Sequence, residues 1–469
     1  MKCLPAVVAF AILLSAASLS VSRLCADDGG LTPEIVSHAR KTFEMDPHTR
    51  AMFNAVTNNS LKDLALNRET LWQHNNLFSH KIDTKGITNQ KSSGRCWLFA
   101  GLNVLRPAVI AKHNVDGFEF SQNYLAFWDK MEKANCFLET MIELADRDPL
   151  DREVQLLQQY ALGDGGWWEY VVDLVDKYGV VPKDVMPETH SSESTSSMNW
   201  VIRRKLKLDA LELQEMARAE KPLDKIRAAK KQMMADIYRM LAMNLGEPPT
   251  EFQWRYEDKE SKLSELRTYT PVKFYKQWVD VDLSQYVNLT DDPTQAYGKH
   301  YQLHGTRNMF DSRDLHYVNV QASVLKELVL KSVLDDEPVW FAADVGKDQT
   351  SEHGIMAVGM YDYGSIFDVD LEMTKLQRLL SREGTPNHAM AFVGVDVQND
   401  LPVKWRIENS WGADKGDDGY WTMYDGWFDR HVYQVIVKKA YVPNKILKRY
   451  QDDPITLPAW HPMAAMLTQ

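Results

Sequence analysis

Cysteine is scarce in this chain, and its scarcity bounds the chemistry. Four cysteines occur in 469 residues, and Cys3 and Cys25 both fall in the extreme N-terminal segment. Cys96 and Cys136 are left, so if Cys96 must stay free no disulfide can form within the remaining chain. Positive charge is also short. Lys and Arg number 54 against 65 Asp and Glu, a formal net charge of −11, which leaves no evident footprint for a phosphate backbone. The cluster Arg203-Arg204-Lys205 reads as a solvated helix face, and nucleic acid is disfavoured as a partner. HExxH helices, paired CxxC, GxxxxGK loops and GxSxG elbows are all missing, which argues against zinc, phosphate-loop and serine-hydrolase chemistry. No cofactor is expected. Long repeats and low-complexity linkers are missing as well.

Long apolar runs are rare too. One extends from Leu4 to Leu19 behind Lys2, and small residues follow it to Leu24-Cys25-Ala26, the pattern of a secretory signal. The expectation is a signal peptide over residues 1–26, cleaved to start the chain at Asp27, with export to a periplasmic or extracellular location. Loss of Lys2 and Arg23 would take the charge from −11 to −13. An uncleaved membrane anchor is the alternative, but the run is short of the ~20 residues a span needs. A lipoprotein site at Cys25 fits poorly, because Leu24 is larger than such sites prefer. No stable membrane insertion is expected after signal removal.

What is present is a thiol set in a particular surrounding. Gln90-Lys91-Ser92-Ser93-Gly94-Arg95-Cys96-Trp97-Leu98-Phe99-Ala100 places a glutamine six residues before a cysteine, with a Ser-Gly turn between them and an apolar helix behind. Residues 96–106 are apolar nearly all round, which predicts a buried helix with Cys96 in its first turn. Unpaired amides and the positive end of the dipole favour an anion there. Two later segments, Asn387-His388-Ala389-Met390 and Glu408-Asn409-Ser410-Trp411-Gly412, supply a base and an orienting amide. In Lys404-Trp405-Arg406-Ile407-Glu408-Asn409 charges alternate with apolar residues, so Asn409 shares the inward face with Trp405 and Ile407 and needs a buried partner. Taken singly, each residue has a structural explanation: Cys96 as a small buried hydrophobe, His388 as a core histidine, Asn409 as a turn residue. The four together, in the order Gln, Cys, His, Asn, point to nucleophilic catalysis by a thiolate.

That order resembles the papain-like peptidases, and the likeness extends further. Phe118-Glu119-Phe120-Ser121-Gln122-Asn123-Tyr124-Leu125-Ala126-Phe127-Trp128-Asp129-Lys130, Asp164-Gly165-Gly166-Trp167-Trp168, Lys177-Tyr178-Gly179-Val180-Val181-Pro182 and Leu457-Pro458-Ala459-Trp460-His461-Pro462-Met463 resemble the bleomycin hydrolase and aminopeptidase C family. This is the self-compartmentalising branch of the papain-like group, and the resemblance covers roughly residue 35 to the C-terminus. It implies an α+β fold with a helical lobe and a strand-rich lobe, an inserted helical hook and a C-terminal arm. It implies a cysteine aminopeptidase acting on peptides, with Cys96 as nucleophile, His388 as base, Asn409 as orienter and Gln90 as oxyanion donor. Gly165 and Gly166 would let extended substrate approach, since glycine has no Cβ. Trp411 would cover the His–Asn bond. Leu467, in the arm, would border the substrate's amino end. The family's terminal carboxylate receives that amine, which makes an aminopeptidase of an endopeptidase scaffold. This tail departs from the usual ending: His461 stands where an aspartate is usual, and Thr468 and Gln469 extend beyond the common end, so self-trimming is expected.

The domain map predicted from these features is a signal peptide at 1–26, an N-terminal helical wrap at 27–74 and a helical lobe with Cys96 at 75–190. A helical insertion at 191–266 follows, then a strand-rich lobe with His388 and Asn409 at 267–450 and the arm at 451–469. Pro107 should end or kink the Cys96 helix. Ser191 to Ser197 reads as a polar loop, and Gly416-Asp417-Asp418-Gly419 as a hairpin. Family analogy implies a homohexamer interlocked through the insertion. A cysteine endopeptidase of the same fold, or a silent binding or scaffold protein, remains the alternative.

Overall fold

A computed structural model describes residues 29–468, so the predicted signal segment lies outside the described residues. The chain divides after Ala65. Before that point stand three helices, α1 (Pro33–Thr42), α2 (Pro47–Asn58) and α3 (Leu61–Ala65). Thr32 and Asp46 cap the first two, their side chains accepting from Ile35 N and Thr49 N, and a proline follows each cap at the first helical position.

The second unit begins with α4 (Arg68–Gln73) and then assembles its helices around α5 (Cys96–His113). After it come α6 (Gln122–Glu143), α7 (Arg152–Gln159), α8 (Trp168–Tyr178), α9 (His190–Glu193), α10 (Ser196–Arg218) and α11 (Leu223–Leu245). Buried residues occupy every face of α5 from Cys96 to Arg106, as its apolar sequence predicts. α5 crosses α8 closely: a Cβ on Gly101 would lie 2.7 Å from Val171 Cγ2.

Of the two outcomes expected at Pro107, an end does not occur: α5 runs on to His113. The proline costs the helix one amide donor, yet the surrounding core holds the last turns in place. Ser191 to Ser197 is not a loop throughout. Thr189 and Ser192 form a reciprocal capping box for α9, and α10 starts at Ser196. Hydroxyl residues that read as loop formers act here as helix caps.

The strands are β1 (His80–Lys81), β2 (Phe252–Trp254), β3 (Arg267–Tyr269), β4 (Tyr286–Thr290), β5 (His300–Leu303), β6 (His316–Asn319) and β7 (Val339–Ala343). They continue with β8 (Gln349–Thr350), β9 (Ile355–Met356), β10 (His388–Gln398), β11 (Leu401–Glu408), β12 (Tyr420–Tyr424), β13 (Val432–Lys438) and β14 (Ile455–Leu457). β2 and β3 pair alone. The others form one sheet in the order β14-β5-β6-β4-β13-β7-β10-β11-β12-β9-β8, with β1 added beside β10. β10, β11 and β12 are antiparallel neighbours, so the chain reverses between Asn409 and Gly419, with a tight turn where Asp417 bridges Tyr420.

The alternation along β11 holds in part. Trp405, Ile407 and Asn409 are buried, but Glu408 is buried as well, at 2% exposure. Its carboxylate meets Arg106 of α5 at 2.6 Å, so the face expected to be wet is closed by a helix and carries an ion pair. No helix among the described residues is long and apolar enough to cross a membrane.

Candidate active site

α5 carries no side-chain cap at its start; Arg95 holds the cap position without capping. The first amides are therefore left for another acceptor. The Cys96 thiol, 1% exposed, sits among them: the backbone amides of Ala389, Trp97 and Cys96 itself all favour its anion. Ala389 directly follows His388 at the start of β10, so the sheet and the helix meet at the thiol. Trp340 of β7 fixes this docking, donating from Nε1 to the carbonyl of Trp97 at 3.1 Å.

His388 donates from Nε2 to Asn409 Oδ1 at 2.9 Å. The same oxygen accepts from the Ser410 amide at 2.8 Å, which identifies it as oxygen and not the amide nitrogen. With Nε2 engaged, Nδ1 is the nitrogen left to exchange a proton with a thiol. Trp411 lies against the imidazole with ring centroids 4.8 Å apart, and an edge-on Trp421 packs against it at 5.2 Å.

Gln90 reaches the same place from the loop before α5. Its main-chain N–H donates to Ser410 O at 2.8 Å, its Oε1 accepts from Ser410 Oγ at 2.7 Å, and its Nε2 donates to Ser93 O at 2.5 Å. These bonds fix the amide's orientation and leave its second N–H for a ligand. The sequence gives no signal for the Ser410 contact, which spans 320 positions.

Burial governs the electrostatics. It pushes the Cys96 thiol up to about 11, against the three amides, and the charge of Asp164 adds to the rise. It pushes the His388 imidazole down to about 4, against the Asn409 bond. Burial thus disfavours an isolated charge on either group.

Gly165 and Gly166 precede α8. A Cβ on Gly166 would stand 2.6 Å from Trp97 Cε2 and 2.7 Å from Tyr170, so packing alone requires glycine there, apart from any substrate. Gly165 O accepts from Lys133 Nζ at 2.6 Å. Gly165 also lines a cavity of about 550 Å³ together with Phe137, Leu157, Tyr160, Ala459 and Ala464. The last two belong to the C-terminal arm. That arm pairs through β14 with β5, and its Trp460 carbonyl accepts from Arg382 at 2.5 Å while Arg152 lies over the Trp460 ring. Leu467 falls in the final turn, Pro462–Thr468, and its side chain lies outside the described residues. A larger cavity of about 880 Å³, bordered by Glu169, Asp173 and Asp311, contains none of the predicted site residues.

With this geometry in place, likeness to known proteins decides the family. Residues 30–464 match the model of the Peptidase C1-like family. The chain belongs to that family. It is 38% identical to bleomycin hydrolase of Mus musculus over 452 residues, covering 94% of this chain and 99% of that protein. It is 39% identical to aminopeptidase C of Lactobacillus delbrueckii subsp. lactis over 394 residues, covering 83% and 88% respectively. A crystal structure of PepW from Lactobacillus rhamnosis aligns with a TM-score of 0.91 at 36% identity, covering 93% of this chain and 99% of that one. The fold is thus the papain-like α+β architecture that the sequence resemblance implied, and this Peptidase C1-like chain is a cysteine peptidase.

Proposed function

We propose that this chain is a cysteine aminopeptidase removing N-terminal residues from peptides, as the names of its relatives bleomycin hydrolase and aminopeptidase C suggest. His388 Nδ1 takes the thiol proton as Cys96 Sγ attacks the scissile carbonyl carbon. The carbonyl oxygen gathers negative charge and accepts from the free N–H of Gln90 and the Cys96 amide, where one donor is worth roughly 2.7–4 kcal/mol. The imidazolium returns its proton to the leaving amine, and the C–N bond breaks. Water, deprotonated by His388, then attacks the thioester, and Cys96 leaves with the acid product released. Asn409 holds the ring throughout, and Trp411 shields that bond.

The observation that supports the exopeptidase reading is that Gly165 and, from the arm, Ala459 and Ala464 line the same 550 Å³ space, which Cys96, His388, Asn409 and Gln90 do not themselves border. An arm continuing beyond Ala464 past this space would limit how far a substrate extends on its amino side, and a terminal carboxylate would favour an α-ammonium. Removal of residues 465–469 tests this. The expected result is loss of cleavage on free-amine substrates and gain on N-acetylated ones; an unchanged preference overturns the gate.

Three further features belong to the same reading. Export through residues 1–26 predicts a mature N-terminus at Asp27, readable by intact mass, and a full-length chain in purified exported protein would defeat it. Interlocking of the α10–α11 hairpin predicts a hexamer, testable by light scattering. Self-trimming predicts a shorter tail in active enzyme than in Cys96→Ala; identical tails would end that idea.

A further inference from the structure

Asp164 is buried, with its side chain 4% exposed, and every direction around it is occupied by a donor. Oδ1 accepts from Lys130 Nζ of α6 at 2.6 Å and from Asn199 Nδ2 of α10 at 2.8 Å. Oδ2 accepts from the Gly94 amide at 3.0 Å and from the Thr195 hydroxyl, at the start of α10, at 2.5 Å. Its main-chain carbonyl accepts from Trp97 Nε1 at 2.7 Å. One residue thus joins the loop that precedes Cys96, the first turn of α5, the Gly165–Gly166 step, α6 and the inserted helical hairpin.

A second set of bonds ties the same loop to the same insertion. Ser92 N donates to Glu193 O at 2.9 Å, and Ser92 O accepts from Thr195 N at 3.4 Å. Arg95, beside the nucleophile, forms a two-pronged pair with Glu188 at 3.3 and 2.9 Å and donates to Ser192 O at 2.7 Å. The oxyanion loop is held from two sides, by Asp164 before α8 and by residues 188–195 leading into α10.

We propose that Asp164 is a positioning residue for the reaction: it fixes the Gly94–Cys96 loop, and with it the oxyanion donors, to the first turn of the inserted helical hairpin. The claim rests on the reading of Cys96 as nucleophile. A loop that must align two donors within a fraction of an ångström has no secondary structure of its own to hold it, and charge-assisted bonds from buried partners supply that order. Asp164 touches neither substrate nor thiol. Burial raises its carboxyl, but Lys130 and the hydroxyl and amide donors outweigh that, holding it well below the usual carboxylate range, so it stays charged throughout. That fixed charge also opposes ionisation of Cys96. Its retention beside a nucleophilic thiol is understandable if position matters more than local potential.

The two effects have opposite signs, which makes the test sharp. Asp164→Asn keeps the shape and removes the charge. Two quantities are measured on the full-length protein: kcat per titratable Cys96 with a free-amine aminoacyl amide, and the pH profile of Cys96 alkylation by iodoacetamide. The expected result is a fall in kcat of about ten- to a hundredfold with KM little changed, while the alkylation profile moves to lower pH. A residue that only stabilised the fold would lower the amount of titratable Cys96 and leave kcat per titrated site in place. Because Asp164→Asn leaves Lys130 buried without its partner and can fail to fold, Asn199→Leu is the second variant. It keeps the Lys130 pair and the charge, so kcat should drop several-fold with the alkylation profile unmoved. Wild-type kcat per titrated Cys96 in folded Asp164→Asn, or in Asn199→Leu, overturns the proposal. If the wild-type protein cleaves only N-acetylated amides, the aminopeptidase reading fails instead, and kcat per titrated Cys96 on that substrate still decides the positioning claim.

Discussion

Removing His388 should disable the thiol itself and not merely the later proton transfers. Burial sets the lone thiol near 11, so at pH 7 about one Cys96 in 10⁴ would be a thiolate without a protonated partner. An ordinary cysteine, with a pKa near 8.5, is about 3% ionised under the same conditions. His388→Ala therefore predicts alkylation of Cys96 by iodoacetamide roughly two orders of magnitude slower than that of a free cysteine at pH 7. The rate should climb about tenfold per pH unit up to pH 10. Wild type should react far faster at neutral pH, because the proton leaves to the imidazole. Cys136 is half-buried and is likewise pushed up by burial to about 11, so the assay uses a Cys136→Ser background. Rapid, pH-independent alkylation of His388→Ala between pH 6 and 8 would refute the argument, since the helix amides alone would then suffice to ionise the thiol.

The other predictions are of several kinds. Asn409→Ala should lower kcat at least tenfold with KM nearly unchanged, while Trp411→Ala should do less; equal kcat in Asn409→Ala and wild type would remove the orienting role. Arg106→Leu leaves the Glu408 carboxylate buried alone and should cost about 3–5 kcal/mol in urea unfolding, with much of it recovered in Arg106→Leu/Glu408→Leu. A loss below 1 kcal/mol would mean that the ion pair contributes little. His316 is pushed down to about 4 by burial, with the neighbouring charges of His300 and Arg313 adding to the fall. Folding keeps it neutral where the unfolded chain would protonate it, so stability is full above pH 6.5 and is lost as pH falls towards 4, by at most about 3 kcal/mol. The slope of unfolding free energy over that window should flatten in His316→Gln, and an unaltered slope would count against the assignment. Gly166→Ala must displace the Trp97 ring and should cost about 1–3 kcal/mol of stability together with activity.

The elements that carry Cys96 and lead to Asn409 could be read from the sequence because their patterns are strong. The all-apolar run behind Cys96 can only be a buried helix, and the alternation through Trp405, Ile407 and Asn409 turns the asparagine inward. What escaped was the chemistry of partners far apart along the chain. Ser410 is an unremarkable residue until Gln90 is brought beside it. Asp164 reads as the first residue of a turn, and nothing local says that Gly94, Lys130, Thr195 and Asn199 converge on it. Glu408 was placed outward by period alone, because strand periodicity does not report a helix covering the second face. Pro107 marks an end or a kink by sequence, and the tertiary contacts of α5 carry the helix past it despite one missing hydrogen bond.

The central claim, that Cys96 and the arm together make an aminopeptidase, is tested most directly by purified full-length protein under reducing conditions, beside Cys96→Ala. Matched aminoacyl fluorogenic amides are compared with a free and with an acetylated amine. The account predicts thiol-dependent release from the free-amine substrates and none from the acetylated ones. Cleavage of both by wild type would contradict the gate, and equal activity in Cys96→Ala would contradict the nucleophile.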